Sequence, residues 1–298
     1  MEINIYQVDA FAEKPFGGNP AGVVPDARLL TEEQMQNIAR EMNLSETAFI
    51  IPIDKNYYKV RFFTPKCEVD LCGHATIGAF YTLALKGYLP SIYNGTRKVY
   101  QETKAGKLCV EITFKNGKVE QVLMEQASPK SISKIDNLEF LLESINLTKD
   151  QIGIKNSFVY PEIISTGLPD IILPINNKED LDSLKIDFGK ISKLSKDLNV
   201  TGVHAFHLPD FNSRKVYTRN FAPLVGIDEE AATGTSNGGL IYFLKKNGFI
   251  KNNSIISMQG SSLNRPSTIH CYIQEKQNSY NVKVGGKAKI VLEGIMSI

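Results

Sequence analysis

Alternation of apolar and polar positions runs through most of the chain. Residues 3–8 (Ile-Asn-Ile-Tyr-Gln-Val) read as a strand, and 21–24, 49–53 and 57–63 as three more. Thr31-Glu32-Glu33-Gln34 is a capping box, and Met35, Ile38, Ala39 and Met42 supply the apolar face of the helix it opens. Residues 98–103, 107–114 and 119–125 alternate again, parted by Gly106 and by Asn116-Gly117, a hairpin signal. Further on, the pattern predicts a short helix over 137–144 and strands over 158–165, 171–175, 203–208 and 214–221. The charged stretch 178–198 reads as helix broken at Gly189, and strands over 255–258, 269–273, 280–284 and 289–292 close the chain. Two segments break the rule: 77–85 and 238–244 carry almost no charge. Pro65 and Gly87 bracket the first of these, which predicts a helix buried on all sides. Its first turn, Gly73-His74-Ala75-Thr76, presents backbone N–H groups suited to an anion.

The surroundings of these two segments match. Arg61-x-Phe63-x-Pro65 has a counterpart in Arg219-x-Phe221-x-Pro223, and Gly73, Tyr81, Leu83 and Gly87 match Gly234, Tyr242, Leu244 and Gly248 at an offset of 161. The shared order of strand, Pro, acidic turn, Gly, apolar helix and Gly reads as a duplication. The expected architecture is two similar lobes, each with one central helix. The first lobe would span 1–127, with Glu46 and a central helix over 73–87, and the second 128–285, with a central helix over 234–248. The C-terminal strand near 286–298 is a candidate to return to the first lobe. Helices so placed would face their N-termini across a cleft.

The 298 residues suit one large domain or two lobes, and apolar and charged contents of 42% and 22% are those of an ordinary globular chain. A net charge of +2, with lysines dispersed, gives no electrostatic case for nucleic acid or an acidic membrane surface. No apolar run approaches the roughly 20 residues that span a bilayer. Met1-Glu2-Ile3-Asn4-Ile5 lacks the features of a signal peptide, so a cytoplasmic protein is expected. Cys67, Cys72, Cys109 and Cys271 show neither disulfide framework nor zinc spacing, so no metal site is expected. The absence of Gly-x-Gly-x-x-Gly and of a P-loop disfavours a nucleotide cofactor.

The motifs Asn19-Pro20-Ala21-Gly22, Ser45-Glu46-Thr47-Ala48-Phe49 and Asp70-Leu71-Cys72-Gly73-His74-Ala75-Thr76 resemble those of the PhzF family of phenazine-biosynthesis-like isomerases, whose fold is similar to that of diaminopimelate epimerase and proline racemase. Phe63-Thr64-Pro65, Glu68-Val69-Asp70, Arg219-x-Phe221-Ala222-Pro223, Thr233-Gly234 and Arg265-Pro266-Ser267 fit as well, so the resemblance covers nearly the whole chain. It implies an α+β fold of two pseudo-symmetric lobes, each a mixed sheet wrapped around one central helix, with an active site between them, no metal or organic cofactor, a small carboxylate substrate and a homodimer. The family's catalytic glutamate falls on Glu46 and its cleft histidine on His74, while Gly73 and Gly234 supply backbone amides. The family enters its second helix through Glu-Asp-Pro-Ala-Thr-Gly-Ser. Here Glu230 replaces the aspartate that contacts substrate, Ala231 the proline and Thr235 the serine.

Moving a double bond, or epimerising a carbon, takes a proton from one carbon and delivers one to a carbon. One carboxylate can do both on a single face, whereas a two-base racemase needs groups on opposite faces. In the epimerase relatives those groups are two cysteines, and here Cys72 stands at the first position but Thr233 at the second. Cys72 then reads as a small packing residue. Glu46 is left as the acid/base, and because a free glutamate titrates near about 4.3, it needs the desolvation that Leu44, Ala48 and Phe49 would supply. His74 and Glu230 are candidates to hold or relay protons. A two-base racemase or epimerase, and a small-molecule binder without turnover, remain as alternatives.

Overall fold

The computed structural model describes residues 1–277 and 279–298. They form two compact units, one of residues 1–125 with 285–298 and the other of residues 126–284. The architecture is mixed α+β and sheet-dominated, with few helices. Among the described residues no helix is long and apolar enough to cross a membrane.

The first unit begins with β1 (Glu2–Ala10), β2 (Asn19–Val24), α1 (Glu32–Met42), β3 (Thr47–Asp54) and β4 (Tyr57–Phe63). It continues with β5 (Glu68–Val69), α2 (Gly73–Leu85), β6 (Gly95–Thr103), β7 (Gly106–Lys115) and β8 (Lys118–Glu125). Pairing runs β1–β2 antiparallel, β2–β3 parallel, β3–β4 antiparallel, β4–β6 parallel, then β6–β7–β8 antiparallel. The capping box of α1 is made in both directions, Thr31 Oγ1 accepting from Gln34 N and Gln34 Oε1 accepting from Thr31 N. Met35, Ile38 and Ala39 turn inward against Phe49 and Phe63.

Helix α2 is buried from His74 to Ala84, with Gly73 half-buried at its start and Leu85, 49% exposed, at its end. It packs against β1, β2, β3, β7 and β8. Phe80 sits edge-on to Tyr58, ring centroids 5.6 Å apart. Thr76 and Thr82 satisfy their buried hydroxyls by donating to the carbonyls of Cys72 and Gly78, both at 2.8 Å.

The second unit contains β9 (Lys130–Lys134), α3 (Glu139–Ile145), β10 (Glu162–Ser165), β11 (Pro169–Pro174), α4 (Lys178–Asp182), α5 (Phe188–Leu198), β12 (Val203–His207) and β13 (Lys215–Ala222). It goes on through β14 (Ile227–Glu230), α6 (Gly234–Lys246), β15 (Ser254–Gln259), β16 (Ser267–Lys276) and β17 (Ser279–Gly286). Strands β9, β10 and β11 pair antiparallel, β11–β12 parallel, β12–β13 antiparallel, β13–β15 parallel and β15–β16 antiparallel. Helix α6 packs against β10, β11, β15 and β16. The last strand, β18 (Ala288–Ser297), belongs to the first unit and pairs antiparallel with β1 along its whole length.

Two expectations are corrected. The helical stretch 178–198 breaks at residues 183–187 and not at Gly189, which lies inside the first turn of α5. Leu184 is buried and Ile186 packs partly buried against the same core there, a spacing that a helix with one exposed face does not serve, and Asp187 restarts the helix by accepting from Lys190 N at 3.0 Å. The strand expected over 158–165 is confined to Glu162–Ser165, after Pro161.

Phe80→Ala should cost about 3–5 kcal/mol of stability, the usual loss for a fully buried phenylalanine. Urea unfolding checks this, and a loss below about 1 kcal/mol would show that α2 is not the core of its unit.

Candidate functional site

Glu46 stands one residue before β3, and His74 is the second residue of α2. The parallel pairing of β2 with β3 brings them together. Gly22 N donates to Glu46 O at 3.0 Å, fixing the backbone of the glutamate. A Cβ at Gly22 would lie 2.5 Å from Thr47 Oγ1, so only glycine lets β2 approach so closely. The His74 ring hydrogen-bonds the carbonyl of Pro20. The Asn-Pro-Ala-Gly motif is thus scaffolding for both residues.

Glu46 Oε2 lies 3.3 Å from His74 Nε2. That oxygen is buried and accepts no hydrogen bond, so the contact is an electrostatic one without hydrogen-bond alignment. On the other side of the ring, Cys72 Sγ is 3.4 Å from His74 Nδ1, and Ser45 Oγ is 3.5 Å from Nε2. Glu46, Cys72 and His74 each place a donor atom within 4.8 Å of the others. Burial pushes the His74 pKa below its ordinary value, against the opposing pulls of the Glu46 carboxylate and the Pro20 carbonyl. The imidazole is therefore neutral near pH 7 and carries one N–H. Glu46 does not sit among Leu44, Ala48 and Phe49 alone, since a polar ring and a thiol are its neighbours.

Cys72 is the N-cap of α2 but makes no side-chain cap, which leaves the Gly73 end of the helix uncapped by side chains. The turn before it is held by Arg61, whose Nε and Nη2 donate to the two oxygens of Glu68 at 2.7 and 2.8 Å. The Arg61 guanidinium holds the Glu68 carboxyl down to about 2, with Lys104 assisting. The guanidinium also lies over the Phe63 ring, 5.1 Å from its centroid. In the second unit Arg219 repeats this, paired with Glu229 at 2.9 and 2.8 Å and 5.0 Å over Phe221. The Arg-x-Phe repeat seen in the sequence is a device that clamps the acidic turn ahead of each helix.

The residues expected at the second helix lie at the start of α6. Thr233 is its N-cap, and Thr233 Oγ1 donates to Glu230 Oε2 at 3.2 Å. Gln259, which belongs to none of the motifs above, organises this turn. Its Nε2 donates to Glu230 O at 2.8 Å and to Thr233 Oγ1 at 3.0 Å. Its Oε1 accepts from Thr233 N and Asn237 Nδ2 at 3.3 and 3.0 Å. Gly260, at φ +77, follows it, and a Cβ there would lie 2.3 Å from Arg265 O. Gly234 is buried, and the Thr235 carbonyl accepts from Thr166 Oγ1 at 2.8 Å.

One turn into α6, Ser236 Oγ donates to Asp170 Oδ2 on β11. Asn220 Nδ2 donates to Ser236 Oγ and lies 3.2 Å from His204 Nδ1. Burial pushes Asp170 up to about 6 and His204 down to about 3, the Ser236 hydroxyl and the Gly202 amide opposing the first shift. The sequence hid both residues, because each occupies an inward position in a strand that is mostly apolar.

A family model described as phenazine biosynthesis-like protein matches residues 8–294. An uncharacterized isomerase of Clostridium acetobutylicum is 36% identical, covering 97% of this chain and 96% of its own. The crystal structure of a phenazine biosynthesis protein of the PhzF family from Bacillus anthracis superposes with a TM-score of 0.87 at 28% identity, over 100% of both chains. A hydroxyproline epimerase from Agrobacterium vitis, at 12% identity, shares the fold with a TM-score of 0.64, over 99% of this chain and 91% of its own. The fold is thus that of the epimerase and racemase group. Within it, the chain belongs to the phenazine biosynthesis-like PhzF family, as its motifs indicate.

Because Asp170 binds its proton more tightly folded (about 6) than unfolded (3.8), its contribution to stability falls as pH rises through that window. The loss amounts to about 3 kcal/mol. Asp170→Asn should remove it, so the stability of the variant relative to the parent should rise by that order between pH 4 and pH 7. Urea unfolding of both proteins across the range tests the assignment, and a pH-independent difference would refute it.

Proposed function

We propose that this protein is a cofactor-independent isomerase that moves a proton, and with it a double bond, within a small carboxylate substrate, using Glu46 as the acid/base. The observation that carries this is the carboxylate itself: Oε2 is buried, accepts no hydrogen bond and lies 3.3 Å from the His74 ring. A general base needs an oxygen not already committed to the protein. His74, its one N–H donated to the Pro20 carbonyl, leaves the other ring nitrogen to accept from the protonated Glu46. Gly73 in α2 and Gly234 and Thr235 in α6 offer first-turn amides for the substrate carboxylate or a developing enolate. Glu230, already held by Thr233 and Gln259, serves as a substrate-binding group. A homodimer working in the cytoplasm completes the proposal. The names of the relatives, isomerases and an epimerase, support the reaction class.

Glu46→Gln keeps the shape and hydrogen bonding of the side chain but cannot take up and return a proton. Its kcat should fall by about 10²–10⁴-fold with ligand affinity nearly intact. Turnover of the parent in D2O should place deuterium at the new C–H position, unless the buried acid returns the same proton before it exchanges. Undiminished turnover by Glu46→Gln on the true substrate would refute the assignment. Failure of the parent to exchange protons into any candidate carboxylate would favour a small-molecule binder.

One observation favours a second reading, a two-base racemase: Cys72 Sγ lies 3.4 Å from His74 Nδ1. Cys72→Ser separates the two. The one-carboxylate reading expects kcat to stay within about tenfold, and a thiol base expects a loss of about a thousandfold, roughly 4 kcal/mol in the barrier.

A further inference from the structure

We propose that Asp170 is a positioning residue for the start of α6 that also sets the anion affinity of its first turn: ionised, the buried carboxylate opposes an anion on the Gly234 and Thr235 amides, and protonated it does not. This role rests on the reading of those amides as a seat for the substrate carboxylate, and adds the regulation of that seat. Every group involved lies in the second unit. Ser236 is the third residue of α6, and its Oγ donates to Asp170 Oδ2. One hydroxyl thus ties the carboxylate to the turn that carries the amides. Asp170 and Ser236 are only 3% and 2% exposed, so salt and solvent screen the charge little. A negative charge at a helix N-terminus uses the positive end of the dipole that an incoming anion needs. An anion seated on the first turn lies roughly one to two helical turns from the carboxylate. At that range an effective dielectric constant of about 20 makes the opposition worth at least about tenfold in affinity.

The elements packed around Asp170 bring it no counter-ion among the described residues. From β12 comes His204, which burial holds down to about 3 and therefore neutral. From β13 comes Asn220, an uncharged amide that donates to Ser236 Oγ. On β10, Glu162 is already paired with Lys246 in the last turn of α6, at the far end of that helix. Glu230 on β14 meets the same helix start, through the Thr233 hydroxyl. Burial without a counter-ion pushes Asp170 up to about 6, and the Ser236 hydroxyl opposes the shift because it favours the ionised form. Below that value Asp170 is neutral and the turn takes an anion freely. As pH rises past it the carboxylate ionises and the affinity falls. By linkage a bound anion makes Asp170 hold its proton more tightly, so binding takes up a proton in that window.

The experiment titrates the full chain with sulfate, which keeps its charge from pH 5 to pH 8, and reads the backbone amide signals of Gly234 and Thr235 by NMR. In the parent the affinity should fall by at least about tenfold across that range. Asp170→Asn has nearly the same shape and no charge, and at pH 8 it should bind about as tightly as the parent does at pH 5. Ser236→Ala keeps the carboxylate but loses the hydroxyl that favours its ionised form, so the fall should move to higher pH. A merely structural Asp170 would change the affinity equally at every pH and leave that midpoint in place. Should Asp170→Asn fail to fold, the midpoint of Ser236→Ala decides alone. A parent affinity independent of pH, a fall that Asp170→Asn retains in full, or an unmoved midpoint in Ser236→Ala overturns the role of Asp170. Sulfate that leaves both amides unmoved at pH 5 overturns the amide reading as well, a result distinct from the other three.

Discussion

Burying α2 on every side is the constraint from which the first unit follows. Ile77, Phe80 and Leu83 are all at or below 1% exposure, and at about 1.5–3 kcal/mol each they contribute roughly 5–9 kcal/mol as an upper bound. That is comparable to the whole net stability of an ordinary domain. The helix therefore cannot shift within its sheet without unfolding the unit. Its composition meets the demand. The hydroxyls of Thr76 and Thr82 are spent on carbonyls of the same helix and its N-cap. A helix held this rigidly makes its first turn a fixed platform, and Cys72 and His74 inherit that rigidity.

The second unit reaches the same end by different chemistry. Helix α6 buries Ser236 and Asn237 in its first turn, where α2 buries Ala75 and Thr76. Each polar group must then find a partner, and the strands supply them in Asp170, Asn220 and Gln259. Such a network specifies one position of the helix more sharply than apolar packing does, because any slip leaves several buried groups unpaired. It also has a cost, visible in the raised Asp170 pKa. Ahead of each helix an Arg–Glu pair, roofed over a phenylalanine, fixes the turn from which the helix starts.

Most strands and α1 were legible in the sequence because periodicity reports which face is buried, and the capping box of α1 lies within four residues. Strands β5, β9 and β14 were not, being two to five residues long and without an apolar face of their own. The break in 178–198 was misplaced because glycine is a weak signal, while the demand to pack both Leu184 and Ile186 against one core is a tertiary one. Glu46 and His74 were readable through motifs. Their contact with Cys72 was not, since it depends on the parallel β2–β3 pairing that no local pattern encodes.

The chemistry open to the two helix starts differs for a reason now visible in the hydrogen bonds. At α6 the N-cap hydroxyl of Thr233 donates to Glu230 and accepts from Gln259, so both its proton and a lone pair are committed. A hydroxyl so held is a poor base twice over, by its intrinsic weakness and by its engagement. At α2 the N-cap thiol of Cys72 caps nothing and faces an imidazole instead. A mechanism drawing one proton-transfer group from each helix start would need equivalence between the two, and the hydrogen bonds deny it. The carboxylate of Glu46, on neither helix, is fixed by β2 and leaves an oxygen uncommitted. The asymmetry between thiol and hydroxyl supports the proposed proton transfer by the Glu46 carboxylate just ahead of β3, with the helix starts proposed to supply position and amides.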